Sequence, residues 1–221
     1  RVRDHFLSFE EMIQKAYFGQ VSLSSTGFYR TPKIYYDRDK AAGRPFYYYA
    51  YGVACVEVLV DTLTGEYRML RGDILHDVGD SLNPAIDIGQ VEGAFVQGMG
   101  WLTCEELVWN AKGKLMTNGP ASYKIPAIAD MPIDLRVKLV ENRKNPEDTV
   151  FHSKAVGEPP FMLGIAAWCA LKDAVASLAD YQVQPQIDAP ATPERVLWGV
   201  EQMRKLKAQA KAASTAEAEP A

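Results

Sequence analysis

The sequence predicts an α+β fold in which antiparallel β-hairpins and a mixed sheet pack against helices, one of them a fully buried central helix. Three observations carry this expectation. Phe46 to Asp61 is rich in Tyr and Val, as strands are, and a Thr62-Leu63-Thr64-Gly65 turn leads into a second strand over Glu66–Ile74. Apolar residues at helical spacing recur in separate segments, first at Phe9, Met12, Ile13, Ala16 and Tyr17. Residues 160–179 carry Phe161, Met162, Leu163, Ile165, Trp168, Leu171, Val175 and Leu178 on nearly every face, the pattern of a helix without a solvent side.

The elements follow in order. Ser8-Phe9-Glu10-Glu11 reads as a capping box that opens a helix over 9–19, and packing on a sheet accounts for its apolar face. Residues 20–45 are irregular, punctuated by Gly27, Pro32, Gly43 and Pro45. After the hairpin, Asp77–Asp87 is a loop. Asp87 then serves as N-cap with Gln90 three residues on, and the helix runs through Val91, Ala94, Phe95 and Met99. Gly93, Gly98 and Gly100 lie within or just past it. Each internal glycine costs up to about 1 kcal/mol, so this helix calls for close approach by another backbone or by a ligand, tight packing being the commoner reason. A second hairpin is expected over Leu102–Trp109 and Lys114–Thr117, turning at residues 110–113. Ile133–Glu141 is a further strand, 142–148 a polar turn and Thr149–His152 a short strand. Thr192-Pro193-Glu194 starts a last helix to about residue 207, and the Ala-, Lys- and Glu-rich end from Ala208 is expected to fray or stay disordered. Residues 1–200 therefore read as the folded part and 201–221 as a helical-to-disordered tail.

Composition narrows the function classes. The 221 residues are 48% hydrophobic and 24% charged, enough to bury a core. A net charge of −4 without a basic stripe argues against nucleic acid as a partner. No apolar run is expected to reach the roughly 20 residues that span a bilayer, so no membrane partner is expected, and no secretory leader is visible. Cys55, Cys104 and Cys169 are scattered and odd in number, which suits free thiols in a reducing, cytoplasmic setting. Without a CxxC pair the stretch lacks an iron–sulfur or structural zinc signature, and His5, His76 and His152 are equally dispersed, so no metal site built from this chain alone is expected. The chain opens on Arg1 rather than Met, which suggests a piece of a longer protein.

Gly157-Glu158-Pro159-Pro160 is the most informative tetrapeptide. A residue before proline avoids the α region, so Glu158 is expected to be extended, and Pro160 suits the first position of the buried helix. A carboxylate held rigidly there is suited to be ionised at rest and to accept a proton during turnover, but a plain helix-start glutamate facing backbone N–H groups has the same signature. Gln90 is equally double: it can cap its own helix or turn its amide to a ligand. Pairing of Glu92 with Glu105 or Glu106 as hydrolytic carboxylates, or of Cys55 with His76 as a nucleophile pair, has nothing in the spacing to favour it.

Three stretches resemble the molybdenum hydroxylases, most closely those of the xanthine dehydrogenase type: SLSSTGFYRTP over Ser22–Pro32, DVGDSLNPAIDIGQVEGAFVQG over Asp77–Gly98, and KAVGEPP over Lys154–Pro160. Tyr48–Glu57, Gly119–Pro126 and Ala189–Glu194 add to a collinear likeness over about residues 17–200. The resemblance implies that residues 1–200 are the C-terminal portion of a molybdenum cofactor-binding domain. It implies a base, Glu158, that activates a molybdenum-bound hydroxyl for attack on hypoxanthine or xanthine, with Gln90 contacting the molybdopterin cofactor and Gly157 permitting close approach. It further implies FAD, two [2Fe–2S] clusters and NAD⁺ in a complete enzyme, held by the remainder of the molybdenum subunit and an iron–sulfur/FAD subunit or domain. The residues that orient the purine, and most that contact the pterin, map outside this chain. An isolated chain is thus expected to be inactive. An aldehyde oxidase-like hydroxylase and a non-catalytic assembly or binding domain remain as alternatives.

Overall fold

The computed structural model describes residues 6–218, which divide into two units between Tyr47 and Tyr48. In the first unit α1 runs over Phe9–Phe18, opened by the expected capping box: Ser8 Oγ accepts from the Glu11 N–H, and the Glu11 carboxylate accepts from the Ser8 N–H at 2.9 Å. The expected packing of its apolar face is not seen, since no α1 residue is buried. The irregular stretch that follows contains one small antiparallel hairpin, β1 (Tyr35–Asp37) with β2 (Ala42–Arg44).

The second unit is built on a three-stranded sheet, β3 (Gly52–Val60), β4 (Tyr67–His76) and β5 (Asp134–Leu139), with β4 in the middle, antiparallel to β3 and parallel to β5. The β3–β4 hairpin turns where expected. Its register carries a bulge the sequence does not announce: Glu57 pairs with Arg71 and Val58 with Met69, so Leu70 has no opposite residue. Strand side chains alternate with period two, so one extra residue switches which positions face inward. On β4 the inward set is Tyr67 and Met69 before the bulge and Gly72, Ile74 and His76 after it. The bulge is what turns His76 into the interior.

α2 occupies Pro84–Thr103, and its N-cap lies four residues before the predicted one, Asp87. Asn83 is the N-cap, its Oδ1 facing the Ile86 N–H at 3.4 Å, with Pro84 in the first helical position, where its missing N–H is no loss. Asp87 lies within the first turn and accepts the Ser81 hydroxyl at 2.5 Å. Gln90 therefore does not close a capping box. The helix also runs past Gly100 to Thr103, whose hydroxyl bonds the Met99 carbonyl, so the expected second hairpin shrinks to a single bridge between Trp109 and Leu115. Its turn is still made, with Asn110 Oδ1 accepting the Lys112 and Lys114 N–H groups. Residues Val150–His152 form a 3₁₀ turn rather than a strand, because Phe151 and His152 adopt left-handed φ values.

The predicted helix 160–179 is a 3₁₀ turn over Pro159–Gly164, α3 over Ile165–Ala176 and a closing 3₁₀ turn. It is not fully buried. Ala167, Leu171, Val175 and Ala176 join Met69, Met99, Val196, Val200 and Met203 in the main core, whereas Met162, Ile165 and Cys169 on the other side are exposed. Only one flank has β3, α2 and α4 against it. Contrary to expectation, the 21-residue stretch Pro159–Ala179, with mean hydropathy 1.5, is long and apolar enough to cross a membrane by length and composition. Its regular α-helical part spans only about 18 Å, short of a hydrocarbon core of roughly 30 Å. α4 (Pro193–Ala218) continues beyond residue 207, and residues 219–221 of the predicted tail lie outside the described residues. A second core, Ile74, Val91 and Phe95 with Leu135, Val137, Val156 and Leu163, sits at the β5 side of the sheet.

Candidate active site

The site grows from the C-terminal end of β4. His76 is buried at 1% exposure against Gly52 of β3, and neither ring nitrogen has a partner among the described residues. Burial holds its pKa below the ordinary histidine value, with Asp77 pulling the other way and Lys154 adding to the depression. The next residue, Asp77, is buried too. Its N–H donates to the Tyr51 carbonyl, Oδ1 accepts the Gly79 N–H at 2.9 Å, and Oδ2 accepts Lys154 Nζ at 2.6 Å, both side chains being only 4% exposed. Arg143 Nε approaches the same oxygen at 4.0 Å from a solvent-exposed position. The Lys154 N–H donates to the Val78 carbonyl, Gly79 bridges Ser153, and the Tyr48 hydroxyl accepts the Ala155 N–H at 2.9 Å.

From that anchor the chain reaches Gly157 and Glu158. Glu158 is not extended as predicted: at φ −108° and ψ −33° it lies in the α region. Its carbonyl accepts the Phe161 N–H at 2.9 Å, closing a turn around Pro159 and Pro160 that overrides the pre-proline preference. The Glu158 side chain is exposed, not enclosed at a buried helix mouth. Gln90, on the outer face of α2, lies beside the preceding residue, Gly157: its Oε1 is 3.6 Å from where a Cβ on Gly157 would be. Gly89 and Gly93 flank Gln90 on that face, and a Cβ on either would meet nothing within 4 Å. The Gln90 amide thus stands beside backbone without side chains, and the chain runs on from Gly157 into the exposed Glu158. The packing glycines lie elsewhere: a Cβ on Gly98 would overlap the Phe161 carbonyl, and one on Gly164 would overlap the Gly98 backbone.

The other sequence candidates are not brought together. Glu105 accepts the Tyr123 hydroxyl at 2.5 Å and Glu106 pairs with Arg195 at 2.7 Å, so both are tied to structural partners other than Glu92. Cys55 is three residues along β3 from Gly52, the residue paired with His76. A cleft of about 690 Å³ opens near Tyr67, Met99 and Thr103, but none of Gln90, Gly157 and Glu158 lines it. Sequence reasoning missed the Lys154–Asp77 pair. The only signal was that each opens one of the three characteristic stretches; no periodicity links positions so far apart.

The family model described as the molybdopterin cofactor-binding domain matches residues 1–132, more than half of the chain. The chain belongs to this family. Xanthine dehydrogenase/oxidase of Mus musculus is 50% identical to it over 195 residues, covering 86% of this chain and 14% of that protein. Xanthine dehydrogenase of rice is 46% identical over 205 residues, covering 88% of this chain and 15% of that one. Among solved structures, the aldehyde oxidoreductase of Desulfovibrio gigas superposes with a TM-score of 0.61 at 29% identity, over 76% of this chain and 17% of that one. This molybdopterin-domain chain therefore spans about one seventh of the curated relatives it matches.

The residues fit a molybdopterin group on one side. A large polar ring system needs hydrogen-bonding groups and backbone that it can approach closely, and Gln90 with the bare Gly89, Gly93 and Gly157 backbone offers both. Among the described residues no cluster of His, Cys, Asp or Glu is arranged to ligate a metal ion, so the group's own organic part would have to carry the metal at this wall.

Proposed function

We propose that this chain is the C-terminal part of the molybdenum-cofactor subunit or domain of a xanthine dehydrogenase, oxidising hypoxanthine to xanthine and xanthine to urate, with Glu158 as the base. The observation that carries the proposal is the approach of Gln90 to Gly157, the residue before Glu158, which brings two distant stretches of sequence together at the surface. The identity to curated xanthine dehydrogenases supports the substrate class. When bound, the molybdenum cofactor supplies the two-electron oxidation of the purine carbon. The chain's own contribution is proton handling and approach. Glu158 Oε takes the proton from the water-derived hydroxyl that attacks the purine, a role worth about 10²–10⁴-fold for a positioned base. Gln90 would hydrogen-bond the cofactor through its amide, and Gly157 would leave the backbone open to it. FAD, two [2Fe–2S] clusters and NAD⁺ complete the electron path in parts of the enzyme outside this chain. The aldehyde oxidoreductase likeness keeps an aldehyde substrate as the second reading.

The test is Glu158→Gln in the complete enzyme. Molybdenum content should stay near normal while xanthine turnover drops about 10²–10⁴-fold. Near-normal turnover would remove Glu158 from the mechanism. Aldehyde oxidation without xanthine oxidation by the parent enzyme would decide for the second reading.

A further inference from the structure

We propose that the buried Lys154–Asp77 ion pair is a positioning device for Glu158; this rests on the reading of Glu158 as the base. Glu158 is exposed, so the packing of its own side chain does not fix it. Its location is set by the backbone on either side. Downstream, Pro159 and Pro160 stiffen the chain and the Phe161 N–H closes the turn. Upstream, the segment from Ser153 to Ala155 is pinned to the chain just past β4 and just before β3: Gly79 bridges Ser153, the Lys154 N–H bonds the Val78 carbonyl, and the Tyr48 hydroxyl takes the Ala155 N–H. The ion pair locks that lamination from inside, at 2.6 Å and 4% exposure on both partners.

The pair is directional. Asp77 has its own N–H bonded to Tyr51 and its Oδ1 bonded to the Gly79 N–H, so Oδ2 presents one fixed acceptor to the ammonium. The Tyr51 ring stands 5.4 Å from Nζ on another side. Val156 then packs into the core formed by Ile74, Val91 and Phe95, and Gly157 meets Gln90. Lys154 is thus referenced to the same sheet and helix that carry Gln90, and Glu158 follows four residues later. A buried ion pair adds little net stability over a well-packed apolar pair, so geometry is what it contributes here.

The experiment uses the complete enzyme with Lys154→Met, Asp77→Asn and the doubly apolar Asp77→Leu/Lys154→Met, with Glu158→Gln in parallel. Both single variants should keep their molybdenum and bind substrate with KM within about threefold of the parent, while kcat falls about 100-fold. Hydrogen exchange should accelerate at residues 153–158 and not in β3 or β4. The double variant should recover the parent's thermal midpoint yet stay about 100-fold slow. A double variant with restored stability and parental kcat overturns the proposal, as do single variants with loosened 153–158 amides and parental kcat. Loss of molybdenum with exchange raised throughout β3 and β4 also overturns it, since the pair would then be structural only. If Glu158→Gln is fully active, the base reading fails and the proposal with it. If Glu158→Gln is inactive and the ion-pair variants are normal, only the positioning proposal fails.

Discussion

At the scale of single residues, the most unusual group is His76, an imidazole buried at 1% exposure with both nitrogens unpartnered among the described residues. Its pKa is lowered mainly by burial, so the folded protein resists the proton that the unfolded chain accepts near pH 6.5. The unfolded state then binds more protons as pH falls below that value, and stability must fall with it. The contribution is fully present above about pH 6.5 and is lost progressively toward the depressed folded value. Thermal midpoints measured between pH 7 and pH 5 should decline, and His76→Leu should flatten the part of the slope that belongs to this site. An unchanged slope in His76→Leu would assign it to groups other than His76. This burial is not legible from local sequence. His76 sits on an alternating strand, and its inward direction depends on the unpaired Leu70, which no local pattern announces.

Elements divide by how local their cause is. The α1 capping box and the Thr62–Gly65 turn were legible because each needs only residues within a few positions. The start of α2 was misread because two capping signals compete there, and Asn83-Pro84 prevails once Ser81 engages Asp87. The candidate site was legible only through its resemblance: spacing alone does not reveal that Gln90 and Gly157 meet. The glycines of α2 show the same division. From sequence they are one class, but Gly98 is pressed backbone to backbone against the turn before α3, while Gly93 is open. Gly98→Ala should destabilise the protein by about 1–3 kcal/mol, as overpacking of a tight contact does. Gly93→Ala should leave folding unharmed or stabilise it by up to about 1 kcal/mol, because the helix gains a better former at no steric cost. Denaturant titration of the two variants checks the contrast. Equal destabilisation would mean that Gly93, too, is needed for packing rather than for an open face.

For the whole molecule, the exposed apolar surface and the length comparison bear on the same question. Phe161 to Ile165 and the outer side of α3 present Met162 and Ile165 to solvent, and the outward face of β3 presents Val53 and Leu59, each at 39% exposure or more. Apolar side chains exposed on two element faces are candidates for burial against further polypeptide. The chain spans 14% of its mouse relative, so ample polypeptide exists in such proteins to provide the cover. The surface around Gln90, Gly157 and Glu158 is equally one-sided: an exposed amide on α2, bare backbone and an exposed carboxylate on the loop before α3, where a tightly held cofactor needs contacts on most of its surface. Metal and cofactor affinity depend on the supporting groups as much as on the nearest ones, and losing supporting groups typically costs about 10–100-fold each. The chain expressed alone should therefore purify with far less than one molybdenum per chain by elemental analysis, and should self-associate on size exclusion through its uncovered apolar faces. Co-expression with the remainder of the molybdenum subunit should restore both the metal and a single defined species. Stoichiometric molybdenum in the isolated chain would show that Gln90, Gly157 and their neighbours hold the cofactor without help, and would move the main binding determinants into this segment.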